Sequence, residues 1–313
     1  MNTHAHKHIQ KHNQKRIKQT TLYLCLLLAA SLLLPHPHPA LAKKKKKLRD
    51  YPITSYNWGL RLNKEHKKPD GSGPAGWKLR EDNAWYVGKR SKKDPVIYLT
   101  FDCGYEAGYT KKILKTLKKN NVKAMFFVTT PYIKENPDIV KKMKKQGHLV
   151  GNHTSTHPRM AGLGVKKIRK EIKECEDTMK QLTGYGMDPF LRPPEGNFSI
   201  RSVKVAQSLG YATVFWSLAY YDYEENDQPG ADYVKKKFET YHHNGMIPLV
   251  HACSKSNTEA LDSVIASMKE KGYRFGQLDE CVKIKKEEDG EPITPSLPSQ
   301  SKAPAVPRSP RCR

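Results

Sequence analysis

Short apolar runs alternate with helical stretches along the chain from residue 95 onward. Seven runs have the length and composition of buried strands, and they occupy residues 96–101, 124–129, 148–151, 190–191, 212–216, 247–250 and 273–275. Between them, apolar residues recur with the i, i+3, i+4 spacing of amphipathic helices, in segments 110–121, 137–146, 165–182, 203–209 and 261–268. Gly147, Gly184, Gly210 and Gly272 follow four of these segments, as is typical of helices that end in a left-handed residue.

This alternation predicts an α/β fold. Strands separated by helices of this length form right-handed βαβ units and a parallel sheet. Seven units within about 190 residues favour a closed or nearly closed barrel, and an open doubly wound sheet is the structural alternative. We therefore expect a distorted (β/α) barrel over residues 95–285, preceded by a basic block and an irregular arm over residues 43–94.

The first 42 residues have the order of a secretory signal peptide. Residues 1–20 carry five cations and no acid, an apolar run covers 22–34, and Ala40-Leu41-Ala42 is a small-x-small cleavage site. An uncleaved anchor is the alternative, but 13 apolar residues fall short of the roughly 20 that span a bilayer. We expect cleavage after Ala42 and an exported protein that meets the membrane only through this segment.

The net charge is +25, and it first suggests a polyanionic partner such as a nucleic acid. Removal of residues 1–42 and their five cations would leave +20 on 271 residues. Export and the lack of a nucleic-acid recognition motif argue against that partner. The Lys block at 43–47 and the tail at 286–313, with six of the 21 prolines, are expected to be solvated and disordered. Five cysteines would remain, so at least one is free or pairs between molecules.

Polar and charged residues follow the ends of five predicted strands. The carboxyl ends of parallel strands meet at one face, so we expect these side chains to lie close together. Each is a weak signal alone, because an Asp at a strand end is often a helix cap and two His four apart are often solvated. Their joint occurrence in this order points to a site, and its members are Asp102, His153, His157, Arg192, Asp222 and His251.

These residue types suit a metal-assisted hydrolase. The imidazoles of His153 and His157 can bind a divalent metal, for which zinc is the preferred ion, and leave a position open for water. Asp102 can accept the proton of that water and His251 can protonate a leaving group. Arg192 can hold Asp102 ionised and oriented, and Asp222 can raise the basicity of His251.

The same segments resemble the polysaccharide deacetylase family, also known as the NodB-homology family or carbohydrate esterase family 4. The resemblance is carried by Thr100-Phe101-Asp102-Cys103-Gly104, by His153-Thr154-Ser155-Thr156-His157, by Arg192-Pro193-Pro194-Glu195-Gly196, by Asp222-Tyr223 and by Leu249-Val250-His251. Further residues are similar to the delta-lactam-forming subgroup of spore-forming bacteria, including Tyr105-Glu106, Gly151-Asn152 and the arm segment Asn57-Trp58-Gly59. In all, the resemblance covers roughly residues 55–285.

The resemblance implies a role for each matching residue. Asp102 would be the general base, His251 the general acid, Arg192 and Asp222 their supports, and His153 and His157 the metal ligands. Leu249 and Tyr223, which matches a family Trp, would shape a pocket for the acetyl methyl group. The backbone N–H of Glu195 would help to hold the tetrahedral oxyanion.

The subgroup implies a substrate and a place of action. Its members remove the N-acetyl group of muramic acid in peptidoglycan stripped of its peptide, and the freed amine then closes to muramic-δ-lactam in the spore cortex. The partner would be an anionic glycan strand, and the protein a monomer. It would work in the cell wall or the forespore intermembrane space of a Gram-positive-type spore former.

Two positions depart from the family pattern, and one cysteine stands beside the site. Cys103 replaces an Asp that binds metal in most of the family and is Asn in the subgroup; we favour a small uncharged filler over a zinc-binding thiolate. Glu195 replaces the subgroup's Arg, and its side chain either weakens contact with the muramic carboxylate or points to solvent. Cys253 either forms a disulfide with Cys103 or is near it by coincidence, which we favour.

The remaining aromatic and cysteine residues have structural interpretations. Trp58, Trp77 and Trp85 either stack on sugar rings or fix the arm to the domain, and we favour the second. Cys175 and Cys281 are expected to be buried small residues or a structural pair.

Two other functions fit the sequence less well. One is a broader deacetylase of N-acetylglucosamine polymers, either chitin-like chains or the glucosamine of peptidoglycan. The other is an inactive, basic cell-wall-binding protein that lost its metal through Cys103. The retention of all six polar strand-end residues argues against the second.

Overall fold

A computed structural model describes residues 46–91 and 93–280 of the chain. The predicted signal peptide, the Pro-rich tail and Cys281 lie outside the described residues. Within the described part, no helix has the length and apolar character to cross a membrane.

Strands in the described residues are mostly short and buried. In chain order they are β1 (Tyr56–Asn57), β2 (Leu60–Arg61), β3 (Asp70–Gly71), β4 (Ala84–Trp85), β5 (Val96–Ile97), β6 (Thr100–Cys103), β7 (Met125–Val128), β8 (Leu149–Asn152), β9 (Phe190–Leu191), β10 (Asn197–Phe198), β11 (Ala212–Val214), β12 (Leu249–His251) and β13 (Arg274–Phe275). Seven of them form one sheet in the order β12-β6-β7-β8-β9-β11-β4, with every neighbouring pair parallel. The parallel sheet predicted from the sequence is confirmed.

The sheet curls until its edges are linked by contacts outside the regular strands. The N–H of Ser217 donates to the carbonyl of Ile247 and the N–H of Leu249 to that of Leu218, both at 2.8 Å. Val87, just after β4, pairs with Met246, just before β12. The architecture is therefore the nearly closed (β/α) barrel that the sequence predicts, and the open doubly wound alternative is not observed.

Helices pack outside the sheet with one apolar face inward. They are α1 (Thr110–Lys119), α2 (Thr130–Glu135), α3 (Pro137–Lys145), α4 (Val165–Thr183), α5 (Ile200–Ser208), α6 (Ala231–Tyr241) and α7 (Lys255–Glu270). In α1, for example, Ile113, Leu114 and Leu117 are fully buried while the lysines between them face outward. The four glycines after helices all have positive φ, as their positions predict.

Some boundaries differ from the sequence prediction for local reasons. Helix α7 begins six residues before the predicted start, because Ser254 caps it by accepting a hydrogen bond from the N–H of Asn257. Helix α2 was not predicted, and Thr129 caps it in the same way. The run 96–101 is interrupted between β5 and β6, and β5 pairs with β13 in a separate small sheet.

The N-terminal arm contributes directly to the barrel. Ala84 and Trp85 form the edge strand β4 of the main sheet, paired with β11, although no strand is predicted in this segment. Strand β1 pairs with β10, beside the Arg-Pro-Pro-Glu-Gly turn. Trp58 donates its indole N–H to the carbonyl of Trp216 at 2.9 Å and stacks on Phe215. These contacts support the interpretation that the tryptophans fix the arm to the domain.

Candidate active site

One cleft opens where the strands of the main sheet end. Its volume is about 920 Å³, and seven of the ten residues predicted for the site line it. These are Asp102, His153, His157, Glu195, Tyr223, Leu249 and His251. Of the other three, Arg192 and Asp222 are fully buried behind Asp102 and His251, and Cys103 is buried in the core. The parallel register explains the convergence, since Asp102 on β6 is the direct neighbour of His251 on β12.

Asp102 is held by a buried arginine. The guanidinium of Arg192 donates to Asp102 Oδ1 at 2.6 Å and to Thr100 Oγ1 at 2.8 Å, and its Nε donates to the carbonyl of Val214. It also lies 4.2 Å above the ring of Phe127. Burial by itself raises the pKa of Asp102, but the charge and hydrogen bond of Arg192 override it and hold the pKa below its usual range. Asp102 is therefore a carboxylate with one oxygen fixed and the other facing the cleft.

His153 is oriented by the backbone that follows β9. Its Nδ1 is hydrogen-bonded to the carbonyl of Arg192 at 2.9 Å, so the proton is on Nδ1 and the lone pair on Nε2. That Nε2 lies 3.6 Å from Asp102 Oδ2. Burial lowers the pKa of His153 to about 4, although Asp102 opposes the effect. The imidazole is thus neutral, the form that binds a metal.

The loop that carries both histidines adopts an uncommon backbone conformation. Thr154 and His157 have φ of 71° and 56°, in the left-handed region. Asn152 stabilises this conformation by accepting a hydrogen bond from the N–H of Thr154 at 2.8 Å, and Thr154 Oγ1 accepts one from the N–H of His157. The rings of His153 and His157 lie 4.8 Å apart. Partial desolvation in the cleft lowers the pKa of His157, so this ring too is neutral.

His251 and Asp222 form a second ion pair, in which Asp222 is buried and His251 is partly exposed. Asp222 Oδ1 lies 2.6 Å from His251 Nδ1, and Asp222 Oδ2 accepts the backbone N–H of His251 at 2.9 Å. Asn257 donates to the same Oδ2 at 2.6 Å and accepts the hydroxyl of Tyr220 at 2.9 Å. Burial alone lowers the pKa of His251, but the Asp222 carboxylate overrides it and raises the pKa. The Asp222 carboxylate therefore favours the protonated imidazole, in which Nε2 carries a proton.

The turn after β9 places Glu195 at the rim. Glu195 has φ of 55°, and its exposed carboxylate lies 3.6 Å from the guanidinium of Arg159. The next residue, Gly196, has φ of 63°, and a Cβ there would stand 2.6 Å from the ring of Trp216. Glycine is therefore required at this position, and the close packing fixes the backbone of the turn that carries the Glu195 N–H.

Leu249 and Tyr223 both line the cleft but differ in exposure. Leu249 is buried at the base of the cleft, whereas Tyr223 is exposed and its ring lies 5.4 Å from that of His251. Trp216 also lines the cleft and adds a further apolar surface. An apolar pocket beside His251 is compatible with a small methyl-bearing group.

The cysteines are free thiols with different surroundings. Cys103, Cys175 and Cys253 form no disulfide with one another. Cys103 is fully buried in the apolar core and does not line the cleft, and burial raises the pKa of its thiol well above the usual range. Cys253 lines the cleft, and burial raises its pKa to about 11. This placement favours the filler interpretation of Cys103, and a thiolate ligand there stays an untested hypothesis.

Three supporting residues were given no role in the sequence analysis. Thr100 and Asn257 complete the hydrogen bonding of Arg192 and Asp222, and Glu171 on α4 accepts the N–H and hydroxyl of Thr156 at 2.8 and 2.9 Å. Glu171 is fully buried, which its spacing on α4 does signal, because it falls on the apolar face next to Ile168 and Ile172. The others have no sequence signal beyond lying next to a site residue or a helix cap.

The imidazole nitrogens of His153 and His157 are suitable donors for a divalent metal. Both rings are neutral, and the fixed tautomer of His153 leaves Nε2 available beside Asp102. Across residues 46–91 and 93–280, no three His, Cys, Asp or Glu side chains are arranged to hold an ion together. His153 and His157 are the residues that would hold such a metal.

Comparisons with known proteins find similar sequences and structures. The sequence profile of polysaccharide deacetylases matches residues 89–214. An uncharacterized protein of Geobacillus stearothermophilus is 44% identical over 74% of this chain and 86% of its own length. The peptidoglycan-N-acetylmuramic acid deacetylase PdaA of Bacillus subtilis is 38% identical over 74% of this chain and 87% of its own length.

Solved structures share the fold. The structure of PdaA, a family 4 carbohydrate esterase, matches with a TM-score of 0.70 at 38% identity and covers 74% of this chain and 97% of that chain. A pseudoenzyme of the same esterase family from Bacillus anthracis matches with a TM-score of 0.58 at 30% identity and covers 64% of this chain and 69% of that one. The fold alone therefore does not decide whether a member is active, and the site residues must be considered.

Proposed function

Since the chain belongs to the polysaccharide deacetylase family, carbohydrate esterase family 4, we propose that it hydrolyses the N-acetyl group of muramic acid in peptidoglycan. One observation carries the proposal: two ion pairs with buried partners, Arg192 with Asp102 and Asp222 with His251, present a base and an acid to the same cleft. The 38% identity to the B. subtilis enzyme supports muramic acid as the substrate.

Asp102 and His251 divide the proton transfers of amide hydrolysis. Asp102 accepts a proton from the attacking water through Oδ2, since Oδ1 is held by Arg192. The water oxygen bonds to the acetyl carbon, and the carbon–nitrogen bond then breaks. His251 donates its proton to the departing nitrogen, which leaves as an amine, and acetate is the second product. Asp222 stabilises the protonated imidazole before this step.

The remaining residues position the amide. Leu249 and Tyr223 surround the acetyl methyl group, and the N–H of Glu195 donates to the oxyanion that forms on the acetyl oxygen. A divalent metal at His153 and His157, for which zinc is the preferred ion, would supply Lewis-acid polarisation of the carbonyl. Export to the cell wall or forespore intermembrane space, and lactam closure of the freed amine, are parts of the same proposal.

A broader N-acetylglucosamine deacetylase is the second candidate. Glu195 favours it, because a carboxylate at the rim repels an anionic lactyl group, although Arg159 partly neutralises that charge. An inactive wall-binding protein is disfavoured because the base, the acid, both histidines and both supporting residues are present and assembled.

Acetate release tests the proposal. The purified protein is incubated with peptide-stripped glycan, after metal removal and again with added Zn²⁺. We expect acetate only with metal, and a decrease of about 10²-fold or more in Asp102→Asn. Asp138→Asn, which removes a fully solvated carboxylate, is the matched control. No acetate from metal-loaded wild-type protein would contradict the proposed activity.

A further inference from the structure

Exposed aromatic side chains are concentrated at one wall of the cleft. Among the described residues, six large apolar or aromatic side chains are exposed, and three of them are cleft-lining tyrosines. Tyr105 is 41% exposed, and Tyr221 and Tyr223 are each 45% exposed. Clustered exposed aromatic surface beside a site is typical of ligand contact, whereas single exposed apolar residues are not.

The tyrosine rings lead outward from the general acid. Tyr223 stands 5.4 Å from His251, and Tyr221 stands 4.8 Å from Tyr223 with the two rings tilted by 57°. Tyr223 can therefore contact the sugar whose nitrogen His251 protonates. Tyr221 stands next in this series of ring contacts, where the adjoining sugar of a chain would lie.

The segment that carries these rings is fixed before any ligand binds. The hydroxyl of Tyr105 donates to the carbonyl of Tyr223 at 3.0 Å, and the thiol of Cys253 lies 3.8 Å from the same oxygen. Gln228 donates to the carbonyls of Asp222 and Glu224 at 3.1 and 2.6 Å. A preorganised wall loses little conformational entropy on binding.

The charge around Tyr221 selects the kind of ligand. Glu224, Glu225 and Asp227 are exposed on the segment 222–227, which contains no cation, whereas Asp222 is buried and paired with His251. An anionic group near this wall would be repelled, and an uncharged one would not. Tyrosine offers an apolar ring face to the C–H face of a pyranose and a hydroxyl to its polar edge.

We propose that Tyr221, flanked by Tyr105, forms a stacking subsite for an uncharged N-acetylhexosamine that adjoins the deacetylated sugar. This inference rests on the proposed function, because it places the reacting sugar beside Tyr223 and His251. The subsite makes affinity depend on chain length.

Binding measurements test the subsite without requiring turnover. Wild type, Tyr221→Ala, Tyr221→Phe and Tyr233→Ala are titrated by calorimetry with N-acetylmuramic acid and with a peptide-stripped oligosaccharide that flanks it with N-acetylglucosamine. Tyr233 is the matched control, since it is an exposed tyrosine on α6 outside the cleft lining. We expect Tyr221→Ala to weaken oligosaccharide binding about fivefold, and to leave monosaccharide binding as in wild type.

The other outcomes are also informative. Retained oligosaccharide affinity in Tyr221→Phe and Tyr233→Ala would support stacking on the ring. The subsite is wrong if Tyr221→Ala binds both ligands as wild type does, or loses affinity equally for both. It is also wrong if wild type binds the oligosaccharide no more tightly than the monosaccharide. Acetate release is scored separately, so a chain-length effect without acetate would contradict the proposed function and support the subsite.

Discussion

The residues proposed as base and acid, Asp102 and His251, each have a buried partner that shifts the pKa. Burial pushes the pKa of Asp102 up and that of His251 down, which would neutralise both groups. Arg192 reverses the first effect and Asp222 reverses the second, so an ionised Asp102 and a protonated His251 are favoured. Two carboxylates in one site thereby take different roles, because one is paired with a guanidinium and the other with an imidazole.

Replacement of Asp222 by Asn is expected to shift the pH dependence of catalysis. Removal of the carboxylate lowers the pKa of His251, so the imidazole loses its proton at a lower pH. The alkaline limb of the kcat profile should move to lower pH, with kcat on that limb falling by up to about 10²-fold. The acidic limb, which reports Asp102, should stay in place. Asp227→Asn, an exposed neighbour on the same segment, should match wild type; an unshifted alkaline limb in Asp222→Asn would be inconsistent with the assigned acid.

At the scale of elements, a helix that does not reach the cleft holds the histidine loop. Helix α4 packs behind the loop, and the Glu171 carboxylate accepts two hydrogen bonds from Thr156, between the two histidines. Lys167, one turn earlier on the helix, lies 2.8 Å from the same carboxylate. The left-handed residues Thr154 and His157 are strained without such support.

Glu171→Ala is expected to weaken metal binding. Loss of the carboxylate leaves the Thr156 N–H without its partner, which costs about 1–3 kcal/mol, and releases the loop. Metal affinity should decrease about tenfold or more, as for other residues that orient metal ligands. Calorimetric titration with Zn²⁺ measures it, with Glu174→Ala, an exposed glutamate on the same helix, as the control. Equal affinities in the two variants would show that α4 does not position the histidines.

Secondary-structure elements with a regular hydrophobic pattern are predicted from the sequence. Elements that exist only through contacts with distant residues are not. The helix at Val165–Thr183 and the barrel strands follow from periodicity and from glycine stops. Strand β4 does not, because two residues become a strand only by pairing with β11. In the site, the six charged residues follow from strand ends and motif. Asn257 acts through hydrogen bonds across elements and leaves no local pattern, and the spacing of Glu171 signals its burial but not its partner Thr156.

At the scale of the molecule, positive and negative charges lie in different places. Lys111, Lys112, Lys115 and Lys118 all face solvent on α1, while the segment beside the cleft at 222–227 is acidic. Among the described residues, no Lys or Arg lines the cleft, and the basic face of α1 therefore lies outside the reaction site. Such a distribution attracts an anionic polymer over a wide surface without binding the reacting sugar more tightly.

A higher salt concentration is expected to weaken attraction to the cell wall without affecting hydrolysis of a short soluble substrate. Raising ionic strength from about 0.01 M to about 0.5 M shortens the screening length and weakens attraction between exposed charges. The KM for intact cell wall should rise severalfold, while the KM for a short soluble oligosaccharide changes little. Initial rates of acetate release measure both. A parallel rise for the two substrates would mean that the basic faces do not recruit the polymer.

The most direct test of the central claim locates the lost acetyl group. Peptide-stripped glycan containing both sugars is treated with metal-loaded protein and digested to disaccharides, and mass spectrometry assigns each acetyl group to muramic acid or glucosamine. We expect loss from muramic acid alone, with lactam where the freed amine has closed, and no loss with Asp102→Asn. Loss from glucosamine, or no loss from either sugar, would contradict the proposed specificity.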